Sequence, residues 1–126
     1  RGRVSLLEYI RTALIAASIS GVSWPCFIGD CPDVDDYVMS LQFYGGARGD
    51  THLRENKIQL FQVRVRAPKG EHAQCEAKWN AILNFVETTA IANVAMILPL
   101  STGPIYWLDD KGRPNMSLNC RATVTS

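Results

Sequence analysis

The stretch that decides the fold is Ile58 to Ala67, which reads IQLFQVRVRA. Apolar side chains take every second position, at Phe61, Val63, Val65 and Ala67. Polar side chains fill the positions between them, at Gln62, Arg64 and Arg66. Because successive side chains of a β-strand point to opposite faces, this period of two predicts a strand with one face in a core and one polar face.

The residues before this strand predict a helix and further strands. Ser5 to about Ala17 carries apolar residues at steps of three and four, which places them on one face of a helix. Ser5 is the predicted N-cap of this helix, and Glu8 completes a capping-box pattern. Tyr37 to Tyr44 alternates again and predicts a strand. Val22 to Ile28 is at most a short edge strand, because its proline cannot donate a ladder hydrogen bond.

The residues after the decisive strand predict a second helix and three more strands. Apolar residues recur at helical spacing from Glu71 to about Val86. Val94 to Leu100 is a short apolar run that predicts a strand. Pro104 to Asp109 and Asn115 to Val124 predict a hairpin, whose connection contains a glycine able to take a positive φ.

The predicted order of elements is therefore helix, two or three strands, helix and three strands. This order is typical of the α+β class, and it predicts a small, mostly antiparallel β-sheet with two helices packed on one face. The 126 residues predict a single domain over 1–126. The formal net charge of +1 argues against a dedicated nucleic-acid binder, which usually has a strong basic excess. It also argues against an acidic disordered tail.

Two polar segments are predicted to be loops. Gly45 to Lys57 is charged and has no hydrophobic period, so a long exposed loop is predicted at about 45–57. Loops of this length are often functional or become ordered only on binding. Gly29 to Asp36 is rich in aspartate and proline. It lacks the glycine and the terminal glutamate of a calcium loop, so no metal site is predicted there.

No catalytic constellation is found in the sequence. His72 and Cys75 are three residues apart on the second predicted helix, a spacing that allows contact between their side chains. Cys75 also lies on the apolar stripe of that helix, where a buried thiol is inert. The sequence therefore predicts no catalytic residue, no cofactor and no enzyme.

The four cysteines form neither a CxxC pair nor a cluster with histidine, so no zinc site is predicted. Reduced, partly buried thiols are the first interpretation, and a Cys26–Cys31 disulfide is an alternative that stays open. The longest apolar run, Ile91 to Leu100, is shorter than the roughly 18 residues of a membrane helix. A soluble protein with no membrane partner is therefore predicted.

Charged residues in and before the decisive strand form the candidate assembly interface. They are Arg48, Asp50, Arg54, Lys57, Arg64 and Arg66. The basic residues have three interpretations: a solvated sheet face, a protein contact, or a contact with DNA phosphates. Arginine is favoured at protein interfaces, which supports the second interpretation over the third. The tripeptide Arg48-Gly49-Asp50 is interpreted as a solvated turn.

Five segments in a fixed order carry a resemblance to a known family. They are the opening helix SLLEYIRTAL, the strand end Tyr44-Gly45-Gly46, the strand from Gln59 to Ala67, the helical Ala81-Ile82-Leu83, and Asp109 to Pro114 leading into Ser117-Leu118-Asn119. From Leu6 to about Val124, the chain resembles the small phage proteins known as minor capsid or tail terminator proteins.

The resemblance implies a tail-terminator-like fold and a structural virion protein, made in the bacterial host cytoplasm and located in the tail or neck. Such proteins form a ring, usually a hexamer, that terminates the tail tube at its head-proximal end and provides the surface for head–tail joining. The implied partners are copies of the chain itself, the tail tube protein on one ring face, and a head–tail connector or stopper protein on the other. DNA would pass through the lumen without specific binding. The alternatives are a head-side neck or stopper component and, from other classes, a small thiol enzyme or a nucleic-acid-binding module.

Overall fold

The computed structural model describes residues 6–21, 24–29, 37–43, 56–91, 94–100 and 105–125. Its helices and strands are, in chain order, α1 (Leu6–Ala16), β1 (Cys26–Ile28), β2 (Val38–Phe43), β3 (Asn56–Arg66), α2 (His72–Thr88), β4 (Val94–Pro99), β5 (Ile105–Leu108) and β6 (Pro114–Thr125). The predicted order of elements is confirmed, and the first group holds three strands. The predicted cap at Ser5 and most of the aspartate-rich segment lie outside the described residues.

The six strands form one mostly antiparallel sheet, so the predicted α+β class is confirmed. Their order is β1-β2-β3-β6-β4, and β5 also pairs with β6. β1 runs parallel to β2, and the other pairings are antiparallel. The decisive strand is central, because β3 pairs with β2 on one side and with β6 along its whole length on the other.

β3 begins earlier than the sequence predicts. Its ladder with β6 extends to the pair Asn56–Thr125, so the strand starts at Asn56 instead of Ile58. Lys57 therefore lies in β3 and not in the loop predicted at about 45–57, because its backbone is paired with that of Val124. The remainder of that predicted loop, up to residue 55, lies outside the described residues.

Both helices pack on the same face of the sheet and close one hydrophobic core. α1 contributes Leu6, Leu7, Ile10 and Leu14. α2 contributes Cys75, Trp79, Ile82, Phe85 and Val86. The sheet contributes the predicted inward residues Phe61, Val63 and Val65 of β3, and it adds Met39 and Leu41 of β2 and Met116, Leu118 and Cys120 of β6. The alternation in the decisive strand thus determines which face of the sheet the helices cover.

The opposite face of the sheet, called the outer face below, follows from the cross-strand register. Its residues are Val38, Ser40 and Gln42 of β2, Leu60, Gln62, Arg64 and Arg66 of β3, Asn115, Ser117, Asn119, Arg121 and Thr123 of β6, Met96 and Leu98 of β4, and Ile105 and Trp107 of β5. This is the face on which the sequence placed Arg64 and Arg66.

Candidate functional site

Only part of the predicted assembly interface can be located. Arg48, Asp50 and Arg54 lie outside the described residues, and for Lys57 only the backbone position in β3 is described. Arg64 and Arg66 lie on the outer face, two positions apart on β3. The candidate site is therefore built from the outer face and from the sheet edge next to it.

Arg66 belongs to a buried polar corner of the outer face. Its side chain is 2% exposed, and its register neighbours Val38 and Asn115 are both 0% exposed. Ser40 and Ser117, in the next cross-strand row, are also buried. Arg66 is thus packed within the subunit, whereas the sequence pattern alone had suggested a charge available at the surface.

Arg64 is half-buried and is held by two neighbours on the outer face. Its Nε donates a hydrogen bond to Asn115 Oδ1 at 3.4 Å, and its guanidinium carbon lies 5.4 Å from the centre of the Trp107 ring. Asn115 in turn donates through Nδ2 to the Arg113 carbonyl at 3.1 Å. A guanidinium over an indole face is a cation–π arrangement, which orients the group while leaving part of it accessible.

A row of amide side chains crosses the middle of the outer face. Gln42 Nε2 donates to Gln62 Oε1 at 3.4 Å, and Gln62 Nε2 donates to Asn119 Oδ1 at 3.0 Å. These three residues are half-buried and lie directly opposite one another on β2, β3 and β6. The centre of the outer face is therefore uncharged but rich in hydrogen-bonding groups.

Exposed apolar side chains are concentrated along the β4–β5 edge of the sheet. Met96 is 50%, Leu98 38%, Leu100 49% and Ile105 52% exposed, and the edge also carries Tyr106 and Leu108 at 44% and 58%. Clustered exposed apolar residues mark association surfaces, whereas single ones are ordinary. The sequence pattern predicted strands here but not their exposure, because exposure depends on which strands become neighbours.

The β4–β5 edge is a single sheet edge made of two short strands. Both β4 and β5 have β6 as their only strand partner among the described residues. The backbone N–H of Leu100 bonds the Asn119 carbonyl, and Ile105 pairs with Ser117. Residues 101–104 therefore connect Leu100 to Ile105, whose partners Asn119 and Ser117 are only two positions apart on β6. An interrupted edge limits open-ended strand pairing with other chains.

Charge is distributed unequally between the sheet and the helices. None of the six strands contains an aspartate or glutamate, while β3 and β6 carry Arg64, Arg66 and Arg121. Arg121 is exposed and lies opposite Leu98 on the outer face. Exposed carboxylates are found instead on α2, at Glu76 and Glu87. The outer face is thus basic, and the solvent side of α2 is acidic.

His72 and Cys75 do not form a catalytic pair in the described structure. The exposed His72 ring packs edge-on against Tyr106 at 4.9 Å between centres, and its Nε2 is 4.0 Å from Glu76. Cys75 is 0% exposed, and its thiol lies 3.7 Å from the carbonyl of Val65 in β3. Burial, with a smaller effect of the Glu76 charge, raises the pKa of the Cys75 thiol to about 11.

Alkylation of the native protein is expected to leave Cys75 and Cys120 almost unmodified. Burial raises the pKa of Cys120 to about 12, and that of Cys75 is also high, so little thiolate is present at neutral pH. Peptide mapping after iodoacetamide treatment should show labelling roughly a hundredfold slower than free cysteine, with full labelling once the protein is unfolded. Labelling of native Cys75 as fast as free cysteine would favour the thiol-enzyme alternative.

The part of the chain with described coordinates contains no group of three or more His, Cys, Asp or Glu side chains placed to hold a metal ion. Within the same residues, no helix combines the length and the apolar character needed to cross a membrane. No protein-family model matches the sequence, and a search of curated proteins finds no match to it.

Proposed function

We propose that the protein is a structural virion subunit that forms a ring at the head-proximal end of a phage tail. The ring terminates the tail tube and provides the surface to which the head joins. Support comes from the order of sequence landmarks described above, carried on a small α+β domain. The observation that carries the proposal is the β4–β5 edge, where a subunit of this size leaves a row of large apolar side chains exposed.

The edge favours association because its apolar groups are concentrated. Six of the eight large apolar side chains exposed in the described residues lie on β4, on β5 or at Leu100 between them. Burying a leucine or isoleucine completely is worth about 1.5–3 kcal/mol, so partial burial of several offsets part of the entropy lost on association. Contact with another protein subunit is the simplest way to bury them.

A ring follows if the contact is head-to-tail. When one surface of a subunit binds a different surface of the next, the contact repeats, and a suitable rotation closes it into a ring. Such a ring has two unlike faces. One face would meet the tail tube protein and the other a head–tail connector or stopper, while DNA passes through the lumen without specific binding. A formal net charge of +1 per subunit is consistent with a weak overall attraction for DNA.

Electron microscopy of particles assembled without the protein tests this function. We expect tails of abnormal length that are not joined to heads, and restoration of joined tails when the wild-type protein is supplied. The double variant Leu98→Ser/Ile105→Ser should restore them poorly, because it removes apolar surface from the edge. Ile15→Ser is the matched control, since Ile15 is 53% exposed but lies on α1.

Two outcomes would contradict the proposal. Tails of normal length joined to heads in the absence of the protein would exclude a tail-terminating role. Localisation of the subunit on the head side of the joint would assign it to the neck, which is the alternative within virion assembly.

A further inference from the structure

We propose that the solvent side of α2 in one subunit docks on the outer face of the sheet in the next subunit. This inference rests on the proposed function, because it names the contact by which the ring closes. The occupant of the outer face is then a second copy of this chain. The argument uses charge, spacing and side-chain chemistry on the two surfaces.

The outer face supplies the basic surface. Arg64 and Arg121 are its accessible cations, and none of its residues is a carboxylate. The amides of Gln62 and Asn119 lie between them. Arg121 lies opposite the 38% exposed Leu98, so apolar and basic groups are adjacent. Exposed aliphatic groups of this kind favour a protein as the occupant, because they gain from contact with another protein surface and nothing from contact with charged phosphates.

The solvent side of α2 supplies the acidic surface. Its central stripe consists of the exposed residues Ala73, Glu76, Asn80, Asn84 and Glu87. Because 11 residues of an α-helix make just over three whole turns, Glu76 and Glu87 lie on the same side of the helix. Two asparagine amides separate the two carboxylates on this stripe.

The lysine of α2 does not neutralise this stripe. Lys78 Nζ donates to the Ile19 carbonyl at 2.7 Å and lies 4.8 Å from the centre of the Trp24 ring. Burial lowers the pKa of this amine, as expected for a cation directed into the subunit. On α1, Glu8 and Arg11 form an ion pair at 3.5 Å and largely cancel. Among the described helices, the uncompensated acidic surface therefore lies on α2.

The spacing of charges on the two surfaces is similar. Glu76 and Glu87 are separated by about 16 Å along α2, from the rise of 1.5 Å per residue. Arg64 lies opposite Ser117, four residues from Arg121 on the adjacent strand, which places the two arginines roughly 14 Å apart. Each surface thus has two charges of the same sign at its ends and amides between them. The charges are positive on the outer face and negative on α2.

A contact between two outer faces is disfavoured by the same charges. Two copies joined face to face would place arginines against arginines without carboxylates. A contact between α2 and the outer face is instead heterologous, because it uses two different surfaces of each subunit. It therefore satisfies the head-to-tail condition that the proposed ring requires.

An exchange of charges tests the contact in the full chain. Arg121→Glu makes the outer face less basic, and Glu76→Lys/Glu87→Lys reverses the charge of the α2 stripe. Each variant alone should raise the concentration needed for assembly by about tenfold or more, because like charges then meet across the interface. Mixed in equal amounts, the two variants should recover part of the assembly as an alternating ring. One of its two kinds of contact is the wild-type contact, and the other pairs the new carboxylate at position 121 with a new lysine of α2, although Arg64 stays basic there. Lys69→Glu, in the exposed turn after β3, is the matched control and should assemble as the wild type does.

Native mass spectrometry over a concentration series measures these outcomes, and the recovery in the mixture also shows that both variants are folded. Unchanged assembly of each single variant would overturn the α2 contact while leaving the ring in place. Stronger assembly of Arg121→Glu would overturn it in favour of a face-to-face contact. A wild-type chain that stays monomeric at every concentration, both alone and in the presence of tail tubes, would overturn both the contact and the ring. Binding of a short DNA duplex at physiological salt that is lost in Arg121→Glu, with assembly unchanged, would assign the outer face to DNA.

Discussion

Replacing Trp79 by alanine is expected to lower the free energy of unfolding by about 3–5 kcal/mol, the usual cost of truncating a large buried aromatic side chain. Trp79 is 3% exposed in the middle of α2 and packs in the hydrophobic core between the helices and the sheet. Its Nε1 donates a hydrogen bond to the Ser117 carbonyl at 3.0 Å. The substitution therefore removes apolar contact and a link between the helix layer and β6, a strand that pairs with three others.

Urea unfolding followed by circular dichroism measures this loss, at protein concentrations low enough to avoid a contribution from assembly. Trp79→Phe keeps an aromatic ring but loses the donor, so its cost should be smaller, about 1–2 kcal/mol. Asn80→Ala changes the exposed neighbour and should stay within about 0.5 kcal/mol of the wild type. A loss below about 1 kcal/mol for Trp79→Ala would contradict the packing of α2 on the sheet through this residue.

Local periodicity was sufficient to predict most of this fold. The alternation through Ile58–Ala67 identified the core residues of the central strand, and the 3.6-residue period of Glu71–Val86 identified the side of α2 that packs on it. These patterns are local, because they depend only on how side chains alternate along one element. Element boundaries were less accurate, since β3 gains Asn56 and Lys57 only by pairing with the end of β6.

Properties that depend on distant neighbours could not be predicted in this way. Arg66 was correctly assigned to the polar side of its strand, but its burial depends on Val38 and Asn115, far away in the sequence. The exposure of Leu98 and Ile105 has the same origin. It requires that β4 and β5 share one side of β6, which no pattern within either strand indicates.

The residues of the proposed contact also differ in whether a local sequence pattern indicates them or only the fold does. The sequence singled out Arg64 because it belongs to a strongly alternating strand, but it did not single out Arg121, Glu76 or Glu87. Each of these is an ordinary exposed charge when considered alone. Together they matter because the register places Arg121 on the face of Arg64, and because the packing of α2 leaves both glutamates facing solvent. A signal was nevertheless present in the sequence, since no predicted strand contains a carboxylate except at the end of Pro104–Asp109.

Replacing Asp109 by asparagine is expected to destabilise the β5–β6 turn by about 1–2 kcal/mol at neutral pH, because a charge-assisted interaction is lost. Asp109 Oδ1 accepts hydrogen bonds from the backbone N–H groups of Lys111 and Arg113, at 3.0 and 2.9 Å. Its Oδ2 accepts a further bond from Arg113 Nε at 2.9 Å, between two side chains that are only 15% and 7% exposed. Asparagine retains an acceptor for the backbone but has no charge to offer the guanidinium.

The effect of this substitution should depend on pH in a defined direction. Burial by itself would raise the pKa of the Asp109 carboxyl, but the hydrogen bonds from Arg113 and Lys111 and the Arg113 charge outweigh it and hold the pKa below its ordinary value of 3.8. The folded state therefore binds the proton less readily than the unfolded state, so the carboxylate contributes fully above about pH 5 and loses its contribution as the pH falls through and below 3.8. Urea unfolding of the wild type and of Asp109→Asn should be measured from pH 7 to the acid limit of the native state. The free energies of unfolding of the two proteins should converge as the pH falls. Asp110→Asn, which changes the exposed neighbour, is the control and should follow the wild type. A difference between the wild type and Asp109→Asn that stays constant at every pH would show that the Asp109 charge does not stabilise the turn.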